Sequence, residues 1–198
     1  MKQILIVDLD GTLILSDMFH ETFWSSLSKN YKIFFKSIIW LFNGKAYLKN
    51  KLSMHSEICV ENLTYNKTVI EYVRKHRNEG DYIALVTGSN QLIAEKIGKY
   101  LNLFDEIKGS SERINLKGKT KARFLNSRFG FKKYQYIGNS FDDLHVWKNA
   151  NKAITINAHP FVARACEKIN TNYLHLKSYL SKNSFLNYIN MIRRNFKI

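Results

Sequence analysis

The feature that most constrains this chain is Ile4-Leu5-Ile6-Val7, an apolar run with no polar alternation that stops at Asp8. A strand with one face in water would alternate, so this run reads as a strand buried on both faces, as in a parallel sheet covered by helices. Tyr82 to Val86, Tyr134 to Ile137 and Ala153 to Ile156 read the same way. Between them lie helical patterns: Val69, Ile70 and Val73 with Gly80 as the stop; Leu92, Ile93, Ile97 and Leu101; and Ala122, Leu125 and Phe129 ending before Gly130. Strand and helix alternate from about residue 66 onward, which predicts an α/β fold with a mainly parallel sheet.

The interval between Val7 and Tyr82 carries helical patterns instead. Phe19, Phe23 and Leu27 recur at i, i+4 and i+8, Ile33 to Phe42 is densely apolar, and Ala46 to His55 continues in helical register. Residues 16–64 are therefore expected to form a helical insertion over the sheet, and residues 1–15 and 65–198 the core domain. Leu63-Thr64-Tyr65-Asn66 returns the chain to that core. Pro160 is the one proline, and neither a Gly/Ser-rich linker nor an internal repeat is present. Ile33 to Phe42, interrupted by Lys36 and Ser37, falls well short of the roughly 20 residues that span a bilayer.

With 198 residues and 45% hydrophobic content, the chain can bury one good core and carry a small subdomain. Its 31 basic residues exceed 16 acidic ones, for a formal charge of +15. Such a surface attracts anions: a phosphorylated substrate, nucleic acid or an acidic membrane. Cys59 and Cys166 form no Cys-x-x-Cys pair and read as reduced thiols of a cytoplasmic protein. Asp8 and Asp10 cut the amino-terminal apolar run before a signal-peptide core forms, so no export is expected.

In open α/β sheets ligands bind beyond the carboxyl ends of the strands, so the residues just after each run carry the chemistry. Asp8 and Asp10 follow the first strand, Thr87-Gly88-Ser89 the second, and Gly138-Asn139-Ser140-Phe141-Asp142-Asp143 the Tyr134 strand. Two carboxylates two residues apart point the same way off a strand end and can hold a cation against a phosphate. One can also attack as a nucleophile while its neighbour serves as acid and base. Gly11 permits a sharp turn that faces amides to the phosphate. Thr87 offers a hydroxyl, and Gly88 and Ser89 are expected where helix-start amides meet an anion. A lysine from Lys117-Gly118-Lys119-Thr120-Lys121 would offset the transferring charge.

Asp8-Leu9-Asp10-Gly11-Thr12-Leu13, Thr87, Lys121 and the 138–143 loop resemble, in order and spacing, the four motifs of the haloacid dehalogenase superfamily. That resemblance implies a Rossmann-like three-layer sandwich with a small α-helical C1 cap at 16–64. It also implies a phosphatase with Asp8 as nucleophile, Asp10 as general acid/base, Thr87, Gly11, Thr12, Gly88 and Ser89 around the phosphate, and Lys121 as the motif lysine, with Lys119 as the alternative. Mg2+ would be held by Asp8, the Asp10 carbonyl, Asn139 and Asp143. Asn139 stands where an aspartate is usual, so the site offers one negative charge fewer; Asp142 can compensate. Trp40-Leu41-Phe42-x-Gly44, Leu63-Thr64-Tyr65-Asn66, Asn115-Leu116-Lys117-Gly118 and Tyr136-x-Gly138-Asn139-Ser140-x-x-Asp143-Leu144-x-Val146-Trp147 further resemble the phosphatase domain often fused to intramembrane polyprenyl-transferring enzymes. The substrate thus implied is a phosphosugar, small or polyprenyl-linked.

Two other functions compete: a nucleotide or polynucleotide phosphatase, favoured by the basic surface, and a catalytically weak membrane- or partner-binding module, favoured by Asn139. From Lys29 to Ser56 the chain carries Lys29, Lys32, Lys36, Lys45, Lys49 and Lys51 and no acid, interleaved with Phe34, Phe35, Ile38, Ile39, Trp40 and Phe42. The first expectation is that the aromatics pack within the cap and the lysines are solvated; the second is peripheral contact with an anionic inner membrane face or a prenyl-phosphate tail. Ser184 is expected to cap a last helix whose Phe185, Ile189, Ile192 and Phe196, flanked by Arg193, Arg194 and Lys197, pack on the core. His145, His159 and Trp147 read as structural.

Overall fold

The computed structural model describes residues 2–178 and 184–196. In chain order its elements are β1 (Ile4–Val7), α1 (Met18–Lys29), α2 (Ile33–Phe42), α3 (Lys45–His55), a 3-10 turn (Val60–Asn62), α4 (Lys67–Asn78), β2 (Tyr82–Asn90), α5 (Gln91–Leu101), β3 (Glu106–Ser110), α6 (Lys119–Phe129), β4 (Gln135–Gly138), a second 3-10 turn (Phe141–Asp143), α7 (Leu144–Trp147), β5 (Lys152–Ile156), α8 (Pro160–Ile169), β6 (Tyr173–Leu176) and α9 (Ser184–Phe196).

The strands form one parallel sheet in the order β3-β2-β1-β4-β5-β6. Central β1 pairs Ile6 with Ala84 on one side and Tyr136 on the other. Its alternation sends Leu5 and Val7 onto Val69, Val73, Ile93 and Ile97 of α4 and α5. Ile6 faces the opposite layer, with Ala122, Leu125, Trp147 and Val162 of α6, α7 and α8. Both faces are covered, which is why β1 is apolar at every position, and the result is a Rossmann-like three-layer α/β fold. Chain order reverses at β1, so the crevice beyond its carboxyl end is the ligand-binding position of such sheets.

Two strands had no apolar run to announce them. β3 and β6 are the sheet edges, where one neighbour is missing and polar residues such as Lys108 and His175 reach solvent. A second difference concerns β2, which continues past Val86 to Asn90 with a register shift on β3. Thr87, Gly88 and Ser89 therefore belong to the strand and not to a helix start. Helix α5 begins only at Gln91, because the Asn90 side chain accepts the Leu92 N–H at 2.9 Å and makes the stronger N-cap.

Helices α1 to α3 fill the interval between β1 and α4 and enclose a small cluster of Ile33, Leu48 and Leu52 with Phe19, Phe23 and Trp40 against it. The predicted Phe19, Phe23 and Leu27 stripe is only half-buried. The face that α1 turns inward is Met18, Glu21, Thr22, Ser25 and Ser26. Small hydroxyls allow close approach there: Ser26 donates to the Leu52 carbonyl at 3.1 Å, and Ser25 to that of Glu57 at 2.9 Å.

Helix α9 packs along α1, with Met191 buried, Trp24 edge-on to Phe196, and the Trp24 indole N–H donating to the Tyr188 hydroxyl at 3.1 Å. Ser184 is its first residue; the Phe185 side chain and Lys197 lie outside the described residues. Arg194 and Asn195 bind the carboxylate of Glu21, which is 1% exposed. Removing the guanidinium would leave a buried carboxylate with a neutral donor, so Arg194→Ala is expected to cost about 2 to 3 kcal/mol of unfolding free energy in urea titration.

Candidate active site

Asp8 extends β1 by one ladder bond, its N–H donating to the Ile137 carbonyl at 3.0 Å. Fully buried Leu9 anchors the next position, and Asp10 then points to the same side as Asp8. The chain turns at Gly11, whose φ of 68° lies in the left-handed region. A Cβ there would sit 2.2 Å from Nδ2 of Asn139, so a side chain at this turn would displace the Asn139 amide. Thr12 is fully buried behind this turn, its hydroxyl donating to Oδ1 of Asn139 at 3.4 Å.

Lys121, in the first turn of α6, reaches the site from below. The residue is 2% exposed, and its ammonium donates to Oδ1 of Asp8 at 2.5 Å and to the Tyr136 hydroxyl at 2.8 Å and lies 3.9 Å from Asp143. Geometry thus puts Lys121, not Lys119, on Asp8; Lys119 lines the cavity above. Burial alone would lower the Lys121 pKa, but Asp8 and Asp143 outweigh it and hold the ammonium charged. For Asp8 the balance falls the other way: burial pushes the carboxyl up to about 7, with Asp143 and Asp10 adding to the rise against the pull of Lys121.

Asp10 is held from two sides. Oδ2 accepts the Ser89 hydroxyl at 2.6 Å and that of Thr87 at 3.4 Å, while Oδ1 accepts the Met18 N–H at 2.8 Å at the start of α1. Burial, then Asp17, raises its pKa against these bonds. Thr87 is fully buried and Ser89 3% exposed. Both stand behind Asp10, whereas Gly88 borders the cavity.

The 138–143 loop is tied by Asp143. Its Oδ2 accepts the N–H groups of Asn139 (3.1 Å) and Ser140 (2.9 Å) and the Ser140 hydroxyl (2.9 Å); its Oδ1 accepts the Tyr136 hydroxyl at 2.6 Å. Gly138 makes room, since a Cβ would lie 2.7 Å from that carboxylate. Asp142 pairs instead with Lys117 at 3.0 Å on the cavity wall. His145 lines the cavity, His159 caps α8, and Trp147 is fully buried with its indole N–H on the Tyr136 carbonyl.

Sequence reasoning gave no role to Tyr136, which links Lys121 to Asp143. Its signal was a hydroxyl inside a strand buried on both faces, where a phenol needs a partner. Lys49 was counted only as part of the cap charge; it donates to the Gly88 carbonyl at 2.7 Å and joins α3 to the site. Burial lowers its pKa despite Asp10 and Asp17.

Above these groups lies a cavity of about 870 Å3, roofed by Leu41, Lys45, Leu48 and Lys49 and floored by Asp8, Asp10, Gly11, Gly88, Lys121 and Asn139. The oxygen-bearing side chains of Asp8, Asp10 and Asn139 line its floor, and burial strains the ionised form of Asp8. A hard cation such as Mg2+ fits that donor set.

Fold and site together place the chain among doubly wound α/β proteins with an acidic centre at the switch point of the sheet. Within that class it belongs to the haloacid dehalogenase-like hydrolases, whose family model matches residues 5–147. It is 34% identical over 152 residues to the uncharacterized protein y4nM of Sinorhizobium fredii; the match covers 77% of this chain and 29% of that protein, so the chain spans less than a third of this relative's length. Among solved structures it is similar to a protein of unknown function from Bordetella pertussis Tohama I (TM-score 0.67, 14% identity, 89% of this chain and 99% of the other). It is also similar to a phosphoserine phosphatase solved as a phospho-aspartyl intermediate analogue (TM-score 0.59, 16% identity, 88% and 93%). At such identities the structural likeness speaks for the fold.

Proposed function

We propose that the protein is a Mg2+-dependent phosphatase that cleaves a phosphate monoester through an aspartyl-phosphate on Asp8. The observation that carries this reading is the Asp8 carboxylate at the end of the central strand, held by buried Lys121 with Asp10 two residues on. Asp8 attacks phosphorus, and the P–O bond to the leaving group breaks as Asp10 gives that oxygen a proton. Asp10 then takes a proton from water, whose oxygen attacks the aspartyl-phosphate and restores Asp8 as inorganic phosphate leaves. A raised Asp10 pKa suits a group that begins protonated. Thr87 and Ser89 act through Asp10, and Lys121 offsets charge on the transferring group. Asp8, the Asp10 carbonyl and Asn139 would hold Mg2+, which supplies electrostatic stabilisation of the phosphoryl oxygens when bound; Asp143, expected as a fourth ligand, turns its oxygens to Tyr136, Asn139 and Ser140 and instead aligns Asn139 and Lys121.

The motif resemblance to domains fused to polyprenyl-transferring enzymes supports a phosphosugar, free or lipid-linked, as substrate. Inorganic phosphate release from sugar phosphates, phosphoserine and nucleotides, with Mg2+ or with EDTA, tests the reading. Silence across the panel, or turnover indifferent to EDTA, would sink it. Asn139 offers an amide where a carboxylate would add charge, so Asn139→Asp is expected to tighten Mg2+ about tenfold in calorimetric titration.

A further inference from the structure

Helix α2 sorts its side chains by the helical period. Ile33 and Ser37 are buried, and Trp40, half-buried, completes this inward row against the His55 ring. The two neighbouring rows, Phe34-Ile38-Leu41 and Phe35-Ile39-Phe42, are apolar at every position and exposed throughout, from 49% at Phe34 and Ile38 to 87% at Phe42. Tyr31 extends the face at 70%. The expectation that these aromatics pack within the insertion is thus overturned: one row of three suffices for the small cluster beneath. A helix apolar on all sides is normally buried, and a continuous exposed apolar face marks an interaction site.

Charge selects the partner. No Asp or Glu occurs between Asn30 and Ser56, and Lys32, Lys36 and Lys45 are exposed around the face. A second copy docked by two-fold symmetry would set these lysines against one another with no acid to meet them. An anionic bilayer takes both components, rings and aliphatic chains entering the headgroup–acyl boundary while ammonium groups meet the headgroups.

We propose that α2 docks the protein, lying in the plane of the interface, on an anionic membrane surface. Among the described residues no helix is long and apolar enough to cross a bilayer, which fits contact along the surface. Leu41 and Lys45 also line the roof of the cavity, so docking brings that side of the cavity to the lipid–water boundary. Resting on the phosphatase reading above, this brings phosphate esters carried on lipids within reach of Asp8.

Cosedimentation with phosphatidylcholine vesicles containing about one-third phosphatidylglycerol tests the proposal, because its readout is independent of turnover. The chain is expected to bind these vesicles, to leave them as salt rises, and to ignore pure phosphatidylcholine. Phe35→Glu/Phe42→Glu, which alters exposed positions only, is expected to weaken partitioning by about tenfold or more, with hydrolysis of soluble p-nitrophenyl phosphate unchanged. No binding, or binding undiminished in the double variant, would overturn the docking surface. So would a dimer in sedimentation velocity that the variant dissociates, which would identify a second copy as the occupant. Vesicle binding by a protein that hydrolyses nothing would keep the docking surface and remove only the phosphatase reading.

Discussion

Asp8→Asn is expected to lower turnover of every substrate by roughly ten-thousandfold or more while the fold persists. The amide matches the carboxyl in size but lacks the anionic oxygen that the proposed mechanism uses to attack phosphorus. Structural damage is not the source of the loss, because Asp8 is 7% exposed and burial already opposes its charge. Lys121 loses one anionic partner but keeps the Tyr136 hydroxyl at 2.8 Å and Asp143 at 3.9 Å. Circular dichroism and the urea midpoint report the fold, and phosphate release under Mg2+ saturation reports the chemistry. A variant with unchanged spectra and turnover within tenfold of the parent would show that Asp8 is not the attacking group.

Different parts of the molecule were legible in the sequence for different reasons. Asp8 and Asp10 lie next to the strand that aims them, so one short segment records both their chemistry and their placement. The inner strands were visible because burial on both faces demands continuous apolar runs; β3 and β6, with one flank open, are under no such demand. The motif resemblance preferred Lys121 to Lys119, and the path of α6 sends the first inward to Asp8 and leaves the second on the cavity wall. Thr87 to Ser89 misled because a hydroxyl–glycine–hydroxyl run resembles a helix start, while Asn90 is the residue that caps α5.

Helix α2 shows a limit of another kind. Periodicity locates an inner face by contrast with polar positions, and here three adjacent rows are nearly all apolar. Which row packs is decided by the Leu48 and Leu52 side chains of α3, so the exposed rows could not be told from the buried one beforehand. The same argument explains α9: its residues suit any apolar partner, and Glu21 of α1 fixes the choice by needing Arg194.

Lys121→Met is expected to reduce turnover by roughly a thousandfold, and its pH profile distinguishes the cause. Lys121 is the cation bonded to Asp8 in an environment where burial drives the carboxyl up to about 7 even with the lysine present. Replacing the ammonium by an apolar chain of similar length removes the group that lowers this pKa, so protonation of Asp8 persists to higher pH. The proposed attack requires the carboxylate. The acid limb of the variant's pH–rate profile should therefore move upward, with activity partly recovering as pH rises. In the proposed site Mg2+ takes the carboxylate form, so below pH about 7 its binding to the parent should release a proton, and in the variant this release should extend to higher pH. Titration calorimetry in buffers of different ionisation enthalpy measures that release. Metal-free Lys121→Met should also lose about 3 kcal/mol of stability at neutral pH, because Asp143 is left buried without a cation and Asp8 must take up a proton on folding. An unshifted acid limb beneath a uniformly lower rate would leave Lys121 only its role on the transferring phosphoryl group and remove the one in the ionisation of Asp8.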